Sequence, residues 1–480
     1  MSTQEIQEIQ CNDPVQSLPP EVASQVFVFA AVEGLQSALQ LAEVCPMWRD
    51  LAWSTPHLWT TWSVSLGLVR NQTRIERLTT LLDRSGVLPL DIVVEYLSPS
   101  QSADTGCLLQ VSPETDKEII TKLNNNSDRW RHLKLRLPAP LFSQFHGNQG
   151  KLVLEELTLR APETSANQKT SPIFRMNADE YPEPIKIDIL KFRLNDLKVG
   201  WSRLTVARVH SIQLDECLQL LRVAPQIEEL TLKNLEGIKE EYFPLPLEPI
   251  QHDKLRKLTL VSDDQSAEFF DNIALPYLED LDIWQVLLAD PSFHDFIRRS
   301  SSPLRLRLSG VTIEDDKDLI EPAFKGLERC TALVHLEMDI IEKSEAFTVA
   351  FLERLAATSL AAHGESPFLS HLSALRFMRD RPFPWPLLLP VFGPLDQLTN
   401  PCRRPLNEVE FCVGNSGYDF QCWGTDNVSA NPRIIDRDSI RGLFSVFDAG
   451  LKIQITEMDR DGNREDLLQK SFDFHFGTAH

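Results

Sequence analysis

Apolar residues near the start of the chain recur every three or four positions, the spacing of a helix with one buried face. Three such runs follow one another, separated by Gly34 and by Pro46. Their apolar positions are Val22, Val26 and Phe29, then Leu35, Leu39, Ala42 and Cys45, then Trp48, Leu51 and Ala52. The pair Pro19 and Pro20 fixes the backbone in a conformation suited to a first helical turn. The pattern therefore predicts three short helices.

A longer run of helical period follows at residues 71–85, where Ile75, Leu78 and Leu82 share one face. Residues 87–94 then form a short apolar run of the length expected for a strand. This part of the chain is therefore predicted to be a connecting helix and a first strand.

From residue 130 onward, a motif of three apolar positions recurs, as in Trp130-x-x-Leu133-x-Leu135. Its last two apolar positions alternate with a polar one, as a half-buried strand requires. Copies of the motif begin at Trp130, Leu154, Ile187, Val209, Ile227, Leu255, Leu278, Leu333, Leu372 and Leu406. The segments between them are turn-rich or, as at 214–221, helical in pattern. Repeated strand–helix units of this kind share one continuous core when they are stacked.

An α/β domain without repeats is the alternative to such a stack. A loose apolar motif arises often by chance in a chain that is 42% hydrophobic. Stricter copies, with a central leucine and polar residues between, are expected by chance roughly two or three times. Such copies are centred on Leu133, Leu157, Leu230, Leu258 and Leu281. We therefore favour the stacked repeats.

Three stretches interrupt the repeats, at residues 98–116, 161–184 and 381–405. The first two are polar, with proline and serine. The third is proline-rich and apolar, so it either contacts a ligand or covers the edge of a sheet, and we favour the cover.

The C-terminal part of the chain predicts a closing hairpin. Residues 451–455 alternate between apolar and polar side chains, and a turn follows at 459–463. Phe472, Phe474 and Phe476 then form a second alternation. Such a hairpin would cap the last repeat.

Composition and charge narrow the class of protein. A chain of 480 residues is long enough for two or more structural units. Its formal net charge of −21 argues against a nucleic-acid partner, which requires concentrated Lys and Arg. No apolar run approaches the roughly twenty residues that span a bilayer, and the N-terminus does not resemble a signal peptide. We therefore expect a protein of the cytoplasm, the nucleus or both, without a membrane partner.

The sequence offers no motif for catalysis, cofactor binding or metal binding. It contains no Gly-x-x-x-x-Gly-Lys loop, no Gly-x-Ser-x-Gly elbow and no His-Glu-x-x-His pair. The eight cysteines include no Cys-x-x-Cys and are expected to be free thiols. Asp459 to Asn463 is more typical of a tight turn than of a calcium loop. We therefore expect a protein that is not an enzyme and has no cofactor.

Residues 17–62 resemble an F-box. The match includes a leading Leu-Pro-x-Glu-Val, a Val-Cys-x-x-Trp-Arg-x-Leu segment and a closing Pro-x-Leu-Trp. The resemblance extends to about residue 97 in large fungal F-box families. It implies docking on the Skp adaptor of cullin–RING ubiquitin ligases. The residues it implies for adaptor binding are Leu18, Pro19, Glu21, Val22, Val26, Phe27, Leu41, Val44, Cys45, Trp48, Leu51, Leu58 and Trp59.

The repeated motif resembles degenerate leucine-rich repeats, a common partner of an F-box. The implied fold is α/β, with a three-helix F-box followed by an irregular horseshoe solenoid. The implied domains are a disordered tail at 1–16, the F-box at 17–62, a linker helix and strand at 63–97, and a recognition domain at 98–480.

The implied function is that of a non-catalytic substrate-recognition subunit, in which the F-box holds the Skp adaptor and the repeats bind a protein target. A scaffold that binds Skp without ubiquitin ligase output is the alternative. For residues 17–62, the alternative is an ordinary helical subdomain packed on the rest of the chain, and we favour the F-box.

Overall fold

The structure is a computed structural model that describes most of the chain. The described residues are 15, 18–31, 34–67, 72–97, 113–147, 153–161, 172–176, 181–239, 242–261, 265–285, 288–300, 303–313, 317–342, 345–359, 367–397, 400, 403–414, 434–458 and 463–477. The chain divides into two compact units, Met1–Leu204 and Thr205–His480, called the first and the second unit below. The division falls inside 98–480, the segment that the sequence assigns to one recognition domain. The predicted tail lies outside the described residues, apart from Val15.

The first unit begins with three helices, which is what the apolar period predicts. Its helices are α1 (Pro20–Ala30), α2 (Leu35–Val44), α3 (Pro46–Trp53), α4 (Gln72–Arg84), α5 (Pro113–Asn124) and α6 (Ala139–Phe142). Its strands are β1 (Thr61–Leu66), β2 (Leu90–Tyr96), β3 (Trp130–Arg136), β4 (Glu156–Arg160), β5 (Phe174–Arg175), β6 (Lys186–Leu190) and β7 (Leu197–Lys198). The connecting helix and the strand after it are therefore α4 and β2, although β2 starts later than predicted.

The main sheet of the first unit is parallel, in the order β1-β2-β3-β4-β6. Ile92, Leu133, Leu157 and Ile187 lie side by side across four of these strands, and all four are buried. β5 and β7 form a separate parallel pair.

The second unit alternates strands with helices or short connections. Its elements in chain order are β8 (Val206–Gln213), α7 (Leu214–Val223), β9 (Glu229–Glu236), β10 (Ile250–Gln251), β11 (Lys257–Val261), α8 (Ser266–Asp271), β12 (Ile273–Ala274), β13 (Asp280–Trp284), α9 (Pro291–Arg299), β14 (Arg305–Ile313), α10 (Lys317–Glu328), β15 (His335–Glu342), α11 (Ala346–Ala357), β16 (Ala374–Arg379), α12 (Leu388–Val391), β17 (Glu408–Val413), α13 (Arg437–Asp448), β18 (Lys452–Met458), β19 (Arg464–Asp466) and α14 (Leu467–Phe476). Both units are therefore mixed α/β. Within the described segments, no helix combines the length and apolar character needed to span a membrane.

The sheet of the second unit runs β8-β9-β11-β13-β14-β15-β16-β17-β18-β19 and is parallel except for the last pair. The central apolar residue of each strand is in register with that of the next. From β9 to β18 these residues are Leu230, Leu258, Leu281, Leu306, Leu336, Leu375, Val409 and Ile453. Helices cover the same face, as the packing of Phe351 in α11 against Phe377 in β16 shows, with ring centroids 5.7 Å apart.

A left-handed backbone residue recurs at the same place within or directly after several of these strands. Ser211, Asn234, Gln285 and Gly310 have φ angles of 58°, 55°, 59° and 63°. Each stands four positions after the central apolar residue of its strand, such as Leu230 for Asn234. The side chain of Asn234 is exposed and donates to the hydroxyl of Ser211 at 3.0 Å. The strands of the second unit therefore share a backbone turn as well as an apolar pattern.

Two predicted copies of the motif are out of register with the strands. Ile187 and Ile189 pair with Leu157 and Leu159, so Ile187 is the central residue of its copy, not the first. The copy placed at Val209 is wrong in the same way. Ala207 pairs with Leu230, and Val209 pairs with Leu232. Leu214, assigned to the end of that copy, begins α7.

The repeated motif does not predict strand β14. Leu306 and Leu308 in β14 are buried and pair with Leu281 and Ile283. Proline at position 303 stands where the motif requires a first large apolar residue, so the pattern fails there. The copy at Ala207 fails for a related reason, because alanine is too small to mark a strand by itself.

The first strand of the predicted C-terminal hairpin is confirmed, but the second strand is Arg464–Asp466 and not the predicted aromatic alternation. β18 and β19 pair antiparallel. Phe472, Phe474 and Phe476 lie in α14. Phe472 and Phe476 are four positions apart, share one face of this helix, and have ring centroids 5.0 Å apart. Three aromatic residues are too few to distinguish a period of two from one of 3.6.

The interrupting stretches differ from one another. Residues 113–116 of the stretch at 98–116 begin α5, and the rest of it lies outside the described residues. In 381–405, Phe383, Trp385 and Phe392 are buried. The ring of Phe383 packs edge-on against that of Phe411 in β17, with centroids 4.8 Å apart. This stretch covers the buried face of the sheet at β16 and β17, and not the edge of the sheet as predicted.

Candidate interaction surfaces

Prolines and local hydrogen bonds fix the ends of the N-terminal helices. Pro20 opens α1, and Pro46 opens α3. The thiol of Cys45 accepts a hydrogen bond from the Trp48 amide at 3.4 Å and so caps α3. The indole of Trp59 donates to the Ala52 carbonyl at 2.9 Å, which ties the end of α3 to the following 3₁₀ turn.

Helix α1 is apolar on two sides. Ala23 and Phe27 are buried, and the ring of Phe27 lies 4.9 Å from that of Trp48. The side next to it carries Val22, Val26 and Phe29, which are exposed, Phe29 by 77%. A helix at the surface of a protein normally turns a polar side to the solvent. The exposed apolar side of α1 is therefore a candidate contact surface.

Further exposed apolar residues lie beside this stripe in sequence. The N-terminal apolar surface is defined here as Leu18, Val22, Val26, Val28, Phe29, Val44, Met47 and Trp53, all of them exposed. Other large exposed apolar residues of the described segments are scattered along the chain. A concentration of such residues marks an interaction site more often than single ones do.

The structure separates the residues predicted for adaptor binding into three groups. Exposed are Leu18, Pro19, Glu21, Val22, Val26 and Val44; half-buried are Leu41, Cys45, Trp48 and Leu51; buried are Phe27, Leu58 and Trp59. The last three belong to the core that holds the helices and offer no surface. The motif did not point to Val28, Phe29, Met47 and Trp53, whose exposure is decided by packing.

A small cleft lies between α2 and α4. It has a volume of about 260 Å³ and is lined by Leu35, Leu39, Trp59 and Arg84 among others. The guanidinium of Arg84 stacks on the rings of Trp53 and Trp59, 4.4 and 5.0 Å from their centroids. Burial lowers the pKa of Arg84. This arginine connects α4 to the helices that carry the N-terminal apolar surface.

The second unit presents a different surface, on the open face of its sheet. The residues on either side of each central apolar residue point away from the buried face and form two rows across the strands. The first row is Glu229, Lys257, Asp280, Arg305, His335, Ala374, Glu408 and Lys452. The second row is Thr231, Thr259, Asp282, Arg307, Glu337, Arg376, Glu410 and Gln454. Both rows alternate acidic and basic side chains over much of their length.

The second row is a continuous chain of ion pairs. Arg307 lies 3.6 Å from Asp282 and 2.8 Å from Glu337. Arg376 lies 3.1 Å from Glu337 and 3.2 Å from Glu410. Each such pair between neighbouring strands contributes about 0.2–1 kcal/mol. The chain of charges therefore helps to fix the register of the parallel strands.

Burial and charge act against each other in this row. Burial raises the pKa of Asp282, and the nearby Arg307 opposes that shift only in part. Burial would lower the pKa of Arg307, but the carboxylates of Glu337 and Asp282 outweigh it, so the pKa is raised. Because its pKa is raised, Arg307 is charged at neutral pH.

The first row is interrupted at Ala374. This residue lies between His335 and Glu408 at the floor of an open cavity of about 460 Å³. Among the described residues, no Lys, Arg or His nitrogen lies within ion-pairing distance of the Glu408 carboxylate. The cavity is polar, and its aspartate, glutamate and arginine side chains other than Glu408 form ion pairs; Lys257, like Glu408, has none within the described residues.

The described residues contain no group of three or more His, Cys, Asp or Glu side chains arranged to hold a metal ion. Comparison with protein-family models and with curated proteins gave no match to this chain.

Proposed function

We propose that this chain is the substrate-recognition subunit of a Skp–cullin–F-box type ubiquitin ligase. The observation that carries the proposal is the exposed apolar side of α1, with Val22, Val26 and Phe29, in a segment whose sequence resembles an F-box. Fully burying a valine or phenylalanine side chain contributes about 1.5–3 kcal/mol. Covering this surface with a partner therefore offers several kcal/mol of binding free energy.

The role of each predicted residue in this proposal follows from its burial. Leu18, Val22, Val26 and Val44 make direct contact with the adaptor, together with Phe29. Phe27, Leu58 and Trp59 hold the three helices in place, because their side chains are buried within the chain itself.

The repeated units of the second unit support a solenoid similar to leucine-rich repeats as the fold of the recognition region. Their central apolar residues are in register, and a left-handed residue recurs at the same position within or directly after several strands. The open face with its two rows of charged side chains is the surface proposed to bind the target protein. The chain then acts by holding its target near the ligase, which raises the effective concentration of the reactants.

Co-purification of the full chain with a Skp adaptor and a cullin tests the proposal. Val22→Glu places a charge on the proposed contact surface, and we expect it to lose both partners. Val87→Glu is the matched control, because Val87 is also exposed in the first unit but lies outside the helices α1–α3. We expect this variant to retain both partners.

Two results would change the proposal. Equal recovery of the adaptor with Val22→Glu and Val87→Glu would contradict a role for α1 in docking. Recovery of the adaptor without a cullin would favour a Skp-bound scaffold that has no ubiquitin ligase output.

A further inference from the structure

Ala374 interrupts the first charged row, and this interruption gives the open face a preference for one kind of side chain from a binding partner. Along this row, Glu229, Lys257, Asp280 and Arg305 alternate in sign from β9 to β14. The alternation then fails at His335, which is not acidic, and Ala374 of β16 contributes only a methyl group. Neighbouring strands lie about 4.8 Å apart, so His335 and Glu408 stand roughly 10 Å apart on either side of the gap. That distance leaves room for one long side chain from another molecule.

The charge of the cavity decides which side chain fits. The lining residues include four Lys or Arg residues (Lys257, Arg305, Arg307 and Arg376) and five carboxylates (Asp280, Asp282, Glu337, Glu408 and Glu410). Arg307 and Arg376 pair with the three second-row carboxylates, and Arg305 of the first row lies 3.8 Å from Asp280. Among the described residues, Glu408 is the lining carboxylate that has no ion-pair partner.

We propose that the open face of the second unit binds a basic segment of a target protein, with an arginine or lysine side chain seated over Ala374 and paired with Glu408. The guest cation would lie beside Glu408, on the side opposite Lys452. Its aliphatic stem lies on the methyl group of Ala374, as the stems of long basic side chains commonly do on apolar surfaces. An acidic guest would meet the unpaired Glu408 carboxylate and be repelled.

The arrangement also explains why Glu408 is not needed for the fold. Asp282, Glu337 and Glu410 each pair with an arginine of the neighbouring strand and so stabilise the register. Glu408 is exposed and, within the described residues, makes no such pair. Its replacement should therefore leave the stability of the chain unchanged while altering binding. The inference concerns the target side of the proposed function and rests on it for its biological meaning.

The test uses the full chain and three fluorescein-labelled nonapeptides of serine and glycine. The basic peptide has arginine at its centre and at the next alternate position on either side. The acidic peptide has glutamate at the same three positions, and the third peptide has norleucine at its centre. Binding is followed by fluorescence anisotropy at low salt and at physiological salt. We expect the basic peptide to bind at least tenfold more tightly than the acidic one. Equal binding of the basic and acidic peptides would overturn the proposal.

Two variants distinguish this site from a general attraction to an acidic protein. Glu408→Gln should weaken binding of the basic peptide about three- to tenfold. Glu353→Gln is the matched control, because it removes the same charge from an exposed position on α11. It should have no effect beyond the error of the measurement. Equal losses in the two variants would show that only net charge attracts the peptide, and the proposed site would be rejected.

A third variant fills the gap from within. Ala374→Arg supplies the missing cation from β16, so it should pair with Glu408 and abolish binding of the basic peptide without lowering the melting temperature. Unchanged binding would contradict the proposed seat. Adaptor binding is measured on the same preparations. If Glu408→Gln loses peptide binding but the preparations bind no adaptor, this site is supported and the proposed ligase function is rejected. If the preparations bind the adaptor but Glu408→Gln leaves peptide binding unchanged, the ligase function is supported and this site is rejected.

Discussion

Two buried arginines of the second unit differ in their hydrogen bonds, and this difference predicts opposite effects of the same substitution. Arg404 is 2% exposed and donates to the carbonyl oxygens of Phe368, Leu355 and Thr358 at distances of 2.8 to 3.3 Å. It also donates to the Thr358 hydroxyl at 2.7 Å. Burial lowers the pKa of Arg404 to about 10, so the guanidinium remains charged at neutral pH. It closes the C-terminal end of α11.

Arg379 is fully buried, yet none of its three guanidinium nitrogens has a hydrogen-bond partner. Its nearest carboxylate, that of Glu345, lies 3.7 Å away and is half exposed. Its guanidinium also lies over the ring of Phe383, 5.5 Å from the centroid. A buried charge without hydrogen bonds costs stability.

Methionine has a similar length and carries no charge. Arg404→Met leaves three carbonyl groups without a donor, each at a cost of about 1–3 kcal/mol when buried. Because such costs do not add fully, we expect the free energy of unfolding to fall by about 3–5 kcal/mol. Arg379→Met removes a buried charge without hydrogen bonds, together with its contacts to Glu345 and Phe383, and we expect a change between zero and a gain of about 2 kcal/mol.

Hydrogen exchange of the α11 amides measures both effects, because it reports the opening of this helix independently of the first unit. Urea unfolding followed by tryptophan fluorescence gives a second measurement. Arg404→Lys keeps the charge but lacks the planar fork, so it should fall between Arg404→Met and the unmodified chain. The reasoning is refuted if Arg379→Met destabilises α11 as much as Arg404→Met does.

Two further predictions concern the second unit. Cys217 and Cys330 are buried, and burial raises the pKa of the Cys330 thiol to about 12, so neither should react with iodoacetamide at pH 8 until urea unfolds the chain; mass spectrometry of their peptides would show early labelling if this is wrong. Gly414 has a φ of 138°, and an added Cβ would overlap the Met458 carbonyl, whereas Gly450, at 89°, has free space. Gly414→Ala should therefore lower the free energy of unfolding by about 1–3 kcal/mol and by more than Gly450→Ala does, in urea titrations; equal losses would contradict the clash.

The strands of both units could be predicted where the apolar residues are large. Leu258 and Leu281 alternate with polar residues and lie in β11 and β13, as predicted. The apolar pattern does not predict the strand where a small residue or a proline interrupts it, as at Ala207 and Pro303. A local pattern also cannot fix the offset of one strand from the next, so the copy at Ile187 was placed three residues too late.

The candidate surfaces were only partly predictable. Val26 and Phe27 are adjacent apolar residues in one helix, and the sequence assigns both to adaptor binding. The structure exposes the first and buries the second, because α1 packs one side against α3. The rows of charge on the open face were not predicted at all. The partners Arg307 and Glu337 are far apart in sequence and meet only through the register of β14 and β15.

The most direct test of the account is the affinity of the full chain for a purified Skp adaptor. Phe29 is exposed by 77% on α1, and Phe474 is exposed by 66% on α14, so glutamate at either position changes the same chemistry at different places. The account predicts micromolar or tighter binding by the unmodified chain and by Phe474→Glu. It predicts a loss of at least a hundredfold in Phe29→Glu, with no change in melting temperature. No binding by the unmodified chain, or equal binding by the two variants, would contradict it.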